Sequence, residues 1–318
     1  MTLVVAHRIS RGIRLIGDSK ITDRNAILRS QLTGALKIII LEPRVCVAFA
    51  GGVSRGIDAI RQLHTRQRIT VDQRLGSSDI PNLLAKAAQH GGVEFVVATV
   101  APKALMRVSA NGVTPANTVW IGDHDAFEAY QRHFHQPTGM AARVHAESDE
   151  QAVFFEQVAR NRREMFTGHG LTEAEEEDFT LAARISQAMD DVIADPIVPT
   201  VDGFPIHVKG DDAHGFRYQS RATQFGGLPQ TIPPGVETPL RFGKPASAGG
   251  YGYTYCIPAQ PGIGAVGVCF PQGRIGALFH PLVRDEPIRY YDVDQAEFVS
   301  AVHTDYEIQL YAGATFSS

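Results

Sequence analysis

Apolar residues come in short, dense runs through the first fifty positions, with turn residues between them. Positions 2–9 and 12–16 are two such runs, separated by Ser10-Arg11-Gly12, and predict a β-hairpin. Gly17-Asp18-Ser19-Lys20 closes the second strand, and a polar stretch follows to Thr33. Positions 36–41 predict a third strand, Glu42-Pro43-Arg44 a turn, and positions 45–52 a buried strand ending in a glycine pair. The period then lengthens. Residues 54–66 and 80–90 carry apolar side chains at helical spacing. Positions 93–100 and 105–110 again read as paired strands around Ala101-Pro102-Lys103, with Asn111-Gly112 as a turn. A helix is expected over 125–135. Ser148 with Gln151, and Thr172 with Glu175, have capping-box spacing and predict two more helix starts. The second should run to about Ala194, with Ala182, Ile185, Met189, Val192 and Ile193 on one face.

Positions 204–209 and 215–218 predict a further strand pair turned at Gly210-Asp211-Asp212. Beyond about Ser220 the chain becomes rich in Gly and Pro. Within that tail, 265–270 and 275–280 flank a turn and predict a hairpin, and 295–302 a short helix. Tyr251, Tyr253 and Tyr255 alternate, as on one packed face of a strand. The order of strands, two helices, strands, helices and strands gives an α+β class. It suits a four-layer αββα sandwich, though other α+β arrangements have the same order. We expect a domain over 2–220 and an irregular, β-containing C-terminal extension over 221–318.

Composition narrows the function classes. A chain of 318 residues with net charge −4 and dispersed Lys and Arg has no basic stripe for nucleic acid. No apolar run reaches membrane-span length, nothing resembles a signal peptide, and Cys46, Cys256 and Cys269 lie in apolar strand-like surroundings without a CxxC pair. These features lead us to expect a cytoplasmic protein with reduced thiols and no membrane partner. P-loop and HExxH motifs are missing from the sequence, and no cofactor is expected. Asp123, His124, Asp125, His133 and His135 invite a metal reading, but His133 and His135 are two apart and face different ways on a helix. The plainer account is a surface helix start, and no metal is expected.

Thr2 opens the first strand. With Met1 removed, it would carry a hydroxyl nucleophile and a free α-amine able to act as its base. Lys37 heads an otherwise apolar strand, where burial is costly unless the charge is paired, and Asp18 is its natural partner. Cys46 sits mid-strand and reads as a buried thiol rather than a nucleophile.

The ordered set of Thr2, Gly17-Asp18-Ser19-Lys20, Lys37-Ile38 and Phe49-Ala50-Gly51-Gly52 resembles the proteasome β-type group of N-terminal-nucleophile (Ntn) hydrolases. The likeness is greatest to the bacterial proteasome-like peptidase that pairs with an AAA+ unfoldase. It continues through Ser109-Ala110-Asn111-Gly112 and Val119-Trp120-Ile121-Gly122 to the helix after Asp125. The interval from Thr2 to Asp18 fits the family, whereas that to Lys37 is a few residues longer, an excess the 19–33 loop can absorb.

The resemblance implies the four-layer sandwich and a threonine-nucleophile amide-bond hydrolase, in the first place a peptidase acting on peptides or unfolded protein. It further implies a homo-oligomer and an AAA+ ATPase partner. A small-amide hydrolase and a non-catalytic scaffold subunit are the alternatives on the same fold. In the implied mechanism the Thr2 hydroxyl attacks a carbonyl. The α-amine, whose unperturbed pKa is about 7.7–8.0, serves as base. A Lys37 ammonium beside it would lower that value and keep more of it neutral. Asp18 supports Lys37, and the Gly51 N–H is the oxyanion donor. Lys20 is a supporting basic residue, and Phe49 and Val53 are candidate pocket walls. Two departures stand out. Asp123 occupies the place of the family's usual serine, and Val198-Pro199-Thr200-Val201-Asp202-Gly203 replaces its D-x-x-S-G-G signature. Asp195 and Asp202 are both candidates to tune the amine in its stead.

Overall fold

The computed structural model describes residues 2–19, 34–69, 79–136, 173–201, 203–219, 222–224, 252–270 and 274–312. Among them the chain is a mixed α+β protein with three antiparallel sheets and five helices.

The first sheet is built on the amino-terminal hairpin of β1 (Leu3–Ile9) and β2 (Gly12–Gly17), registered Val4 to Gly17 and Ile9 to Gly12. β8 (Thr118–Gly122) pairs with the far side of β1. β9 (Ile206–Asp211) and β10 (Gly215–Tyr218) extend the β2 side, so the order is β10-β9-β2-β1-β8. The second sheet runs β3 (Ile38–Glu42), β4 (Val45–Gly51), β5 (Val93–Val100), β6 (Lys103–Ser109) and β7 (Gly112–Pro115) in chain order.

Side-chain parity explains the packing. In β1, Val4 and Ala6 join one core while Leu3 and Val5 join another. In β4, Cys46, Ala48 and Ala50 share the core with Val4, whereas Val45, Val47 and Phe49 point the opposite way. Both faces of these strands are covered, which is why they read as continuous apolar runs rather than alternating ones. The face carrying Phe49 packs beneath α1 (Val53–Ile69) and α2 (Asp79–Gln89). The face carrying Leu3 packs against α3 (His124–His135) and α4 (Glu173–Ala194), through Ala126, Ala129 and Tyr130 on one helix and Ile185, Met189, Val192 and Ile193 on the other.

The C-terminal residues form the third sheet, β11 (Ala222–Gln224), β12 (Gly252–Pro258), β13 (Val266–Phe270), β14 (Ile275–Phe279) and β15 (Ile288–Tyr291). β16 (Leu310–Ala312) continues along β12 beyond β11. One face of this sheet, Val266, Val268, Phe270, Ile275, Ala277 and Phe279, joins the core between the first two sheets. Cys269 and Leu278, on the other face, pack under α5 (Gln295–Tyr306) with Phe298 and Val302. Asp294 and Glu297 close a reciprocal capping box at the start of α5.

The expected hairpin over 265–280 and the helix from 295 are present, the helix running on to Tyr306. β7, β11, β15 and β16 were not anticipated. Tyr255 is buried, and its hydroxyl donates to the Pro205 carbonyl at 2.6 Å. The helix start at Ser148 and the 19–33 loop beyond Ser19 lie outside the described residues.

Candidate functional site

The hairpin register brings the first two chemical groups together. With Val4 opposite Gly17, Asp18 falls beside Leu3: its N–H donates to the Leu3 carbonyl at 3.2 Å, and its Oδ1 accepts the Leu3 N–H at 2.9 Å. Lys37 arrives from a second direction. The Ala35 N–H donates to the Ser19 carbonyl at 2.9 Å, so the chain entering β3 runs alongside the end of β2. The Lys37 carbonyl then accepts the Phe49 N–H at 3.0 Å, which holds Lys37 in line with the β3–β4 ladder.

Thr2 completes the cluster. Its hydroxyl donates to Asp18 Oδ1 and accepts from Lys37 Nζ, and Nζ lies 3.2 Å from Asp18 Oδ2. All three are buried: Thr2 is 4 % exposed, Asp18 0 % and Lys37 2 %. The Thr2 carbonyl accepts the Asp123 N–H at 2.8 Å, which ties its backbone to the end of β8. Closely packed backbone is needed here. Gly122 has φ +108°, and a Cβ on it would sit 1.9 Å from the Thr2 carbonyl oxygen. The result is an alcohol held between a cation and a carboxylate in a dry setting, where electrostatic interactions are strong. Such an arrangement can orient a hydroxyl for attack and stabilise the charge it develops.

Gly51, the last residue of β4, borders the same cavity as Thr2. It has φ +105°, and a Cβ there would meet the Gly92 carbonyl oxygen at 2.0 Å. That contact alone demands glycine, whatever role its N–H has.

The cavity measures about 700 Å³ and lies between β8 of the first sheet and β5–β7 of the second. Its two charged wall residues, Glu94 and Arg107, pair at 2.6 Å. Arg107 also stacks over Trp120, 5.2 Å from the ring centroid, and Glu94 Oε2 accepts the Gly122 N–H at 3.4 Å. Sequence reasoning missed Glu94, Arg107 and Trp120 as wall residues. The hairpin register held the signal: Val96 opposes Arg107, and Glu94 shares the face of Val96 two residues away, so the pair is a diagonal cross-strand contact.

The other anticipated residues fall elsewhere. Phe49 is corrected as a pocket wall: it is fully buried on the helix-facing side of β4, against Gly56 of α1. Ala50, of opposite parity, lines the cavity instead. Val53 begins α1 and packs half-buried against the same helix-facing core as Phe49. Asp123 caps α3, accepting the Ala126 N–H at 3.1 Å, and reaches Thr2 through its backbone N–H. Asp195 lies beyond α4, accepts the Ile197 N–H at 2.9 Å and approaches His133 at 3.5 Å. It makes no hydrogen bond to Thr2 among the described residues. Lys20 and Asp202 lie outside the described residues. Burial pushes the Cys46 thiol well up, which disfavours the nucleophilic thiolate. His133 faces Asp191 and Asp195 in the α3–α4 interface, while His124, Asp125 and Glu128 group on the exposed start of α3. The histidines considered together in the sequence are therefore on different sides of the helix. No known protein-family model matches the chain, and no curated protein sequence matches it at a significant level.

Proposed function

We propose that the chain is an N-terminal-threonine amide-bond hydrolase in which Thr2, once Met1 is removed, is the nucleophile. The observation that carries this reading is the convergence of the Thr2 hydroxyl, the Lys37 ammonium and the Asp18 carboxylate, from three separate segments, at a residue that borders a cavity. A buried ion pair contributes little net stability compared with apolar packing, so its placement on the Thr2 hydroxyl favours a chemical role.

In the proposed reaction the Thr2 α-amine takes the hydroxyl proton as Oγ1 attacks the substrate carbonyl. Lys37 offsets the negative charge that develops on Oγ1, and Asp18 fixes both partners. A positioned base of this kind contributes about 10²–10⁴-fold. The Gly51 N–H is proposed as oxyanion donor. The proposed architecture is the four-layer αββα sandwich of Ntn hydrolases. Helix pairs on the outer faces of the first two sheets, and a shared core between those sheets, support it. A proteasome-like peptidase, enclosed in a homo-oligomer and served by an AAA+ ATPase, is the form of the proposal that the resemblance favours. The cavity volume favours a second form, a hydrolase of small amides, because about 300–1,000 Å³ is the usual range for small-ligand sites.

The test is turnover of a fluorogenic peptide series and of small amides by the full chain and by Thr2→Ala. Hydrolysis by the first and none by the second is expected. Full activity in Thr2→Ala would eliminate Thr2 as nucleophile, and preference for small amides would select the second form.

A further inference from the structure

Resting on the hydrolase reading, we infer that the cavity beside Thr2 binds a carboxylate of the substrate through Arg107. Thr2 borders the cavity, and Glu94 and Arg107 are its two charged wall residues. These two are not equivalent. Both carboxylate oxygens of Glu94 are engaged, Oε1 by Arg107 Nη2 at 2.6 Å and Oε2 by the Gly122 N–H at 3.4 Å. Arg107 spends one edge of its guanidinium on Glu94 and makes no other hydrogen bond among the described residues. Its Nε is buried without a partner, and the side chain remains 38 % exposed. A guanidinium carries five N–H donors in a planar fork that matches a carboxylate. The cavity therefore presents guanidinium donors that are not engaged, whereas each Glu94 oxygen already accepts a hydrogen bond, which favours an anion over a cation.

Trp120 holds the guanidinium plane, so the fork is oriented before the ligand arrives. The remaining polar wall, Ser109, Asn111, Thr114 and Thr118, is uncharged and suits the backbone of a short peptide. The binding group is also coupled to the reacting one. Arg107 holds Glu94, Glu94 holds Gly122, and the next residue, Asp123, holds the Thr2 carbonyl. A carboxylate on Arg107 thus docks against the same strand end that positions Thr2.

The carboxylate has two sources, a free C-terminus and an acidic side chain. Binding is measured by calorimetry on the full chain carrying Thr2→Ala, with four acetylated probes. These are tetraalanine with a free C-terminal carboxylate, its C-terminal amide, the amide with one Ala replaced by Glu, and the amide with one Ala replaced by Lys. At least one acidic probe should bind about tenfold or more tighter than the neutral amide, the gain of a charge-assisted hydrogen bond. Whichever acidic probe is tighter identifies the source. Adding Arg107→Gln should erase the difference. Arg107→Lys, which keeps the charge but loses the fork, should reduce it and serves where Arg107→Gln does not fold. Equal affinity for all four probes, preference for the Lys probe, or an acid preference that survives Arg107→Gln would overturn the inference while leaving Thr2 chemistry intact. Conversely, absence of turnover by the unsubstituted chain would remove the hydrolase reading and leave the binding result standing.

Discussion

Replacing Lys37 with Met keeps the length of the side chain and removes its charge. Lys37 and Asp18 are 3 % and 0 % exposed at the side chain and lie 3.2 Å apart. Breaking a buried pair by deleting one partner costs about 3–5 kcal/mol, because the remaining charge is left without compensation. Two features place the cost near the lower end. Asp18 keeps the Leu3 N–H and the Thr2 hydroxyl as donors, and the Met side chain fills most of the space left by the Lys stem. A loss of about 3 kcal/mol is expected, corresponding to a melting temperature lower by roughly 4–5 °C in a chain of this size. Urea unfolding followed by fluorescence would measure it for Lys37→Met, Asp18→Asn and the double variant. The double variant buries no unpaired charge. It should therefore be much less destabilised than the sum of the singles, with a coupling above about 1 kcal/mol. Activity should behave differently: each single should lose about 10²–10⁴-fold in kcat/KM, and the double should recover none of it. A Lys37→Met cost under about 1 kcal/mol, or additive singles, would refute the buried-pair reasoning.

Thr2→Ser should keep part of the peptide turnover, since hydroxyl and amine both survive, and a loss as complete as in Thr2→Ala would contradict the proposed nucleophile. Gly122→Ala should lower both melting temperature and rate, because its Cβ collides with the Thr2 carbonyl at a φ of +108°; unchanged kinetics would contradict the placement of Thr2 against β8. Burial holds the His7 and His280 imidazoles down to about 4. Between that value and the ordinary 6.5 the unfolded chain binds the additional protons, so stability is full above pH 6.5 and declines as pH falls towards 4. Thermal melts across that window should show the decline and His7→Gln should flatten part of it, whereas a pH-independent melt would contradict buried neutral histidines. Light scattering coupled to size-exclusion chromatography should find a homo-oligomer, and a catalytically active monomer at micromolar concentration would remove the compartment argument.

Much of this was legible in the sequence because it depends on local pattern. The β1–β2 hairpin, the strand over Val93–Val100 and the α4 face carrying Ile185, Met189 and Val192 follow directly from periodicity and turn residues. A buried lysine at the head of an apolar strand called for a carboxylate, and Asp18 provides it. The rest depends on long-range pairing. β12 and β16 are separated by about fifty residues along the chain, and nothing in their composition announces the partner. The Gly- and Pro-rich tail concealed that Val268 and Ala277 would enter the core between the first two sheets. Phe49 is kept from the cavity by its parity in β4, and Ala48 and Ala50 on the other face mark the side tight enough for the two sheets to meet.

The central claim is that Thr2 is both the free N-terminus and the acyl-accepting residue. Its most direct measurement is mass spectrometry of the N-terminal peptide from an active preparation, before and after rapid quenching with substrate. The account predicts a peptide that starts at Thr2 and, after quenching, carries the substrate acyl group on that residue. A fully active preparation that retains Met1 throughout, or an acyl group found on another residue, would contradict it.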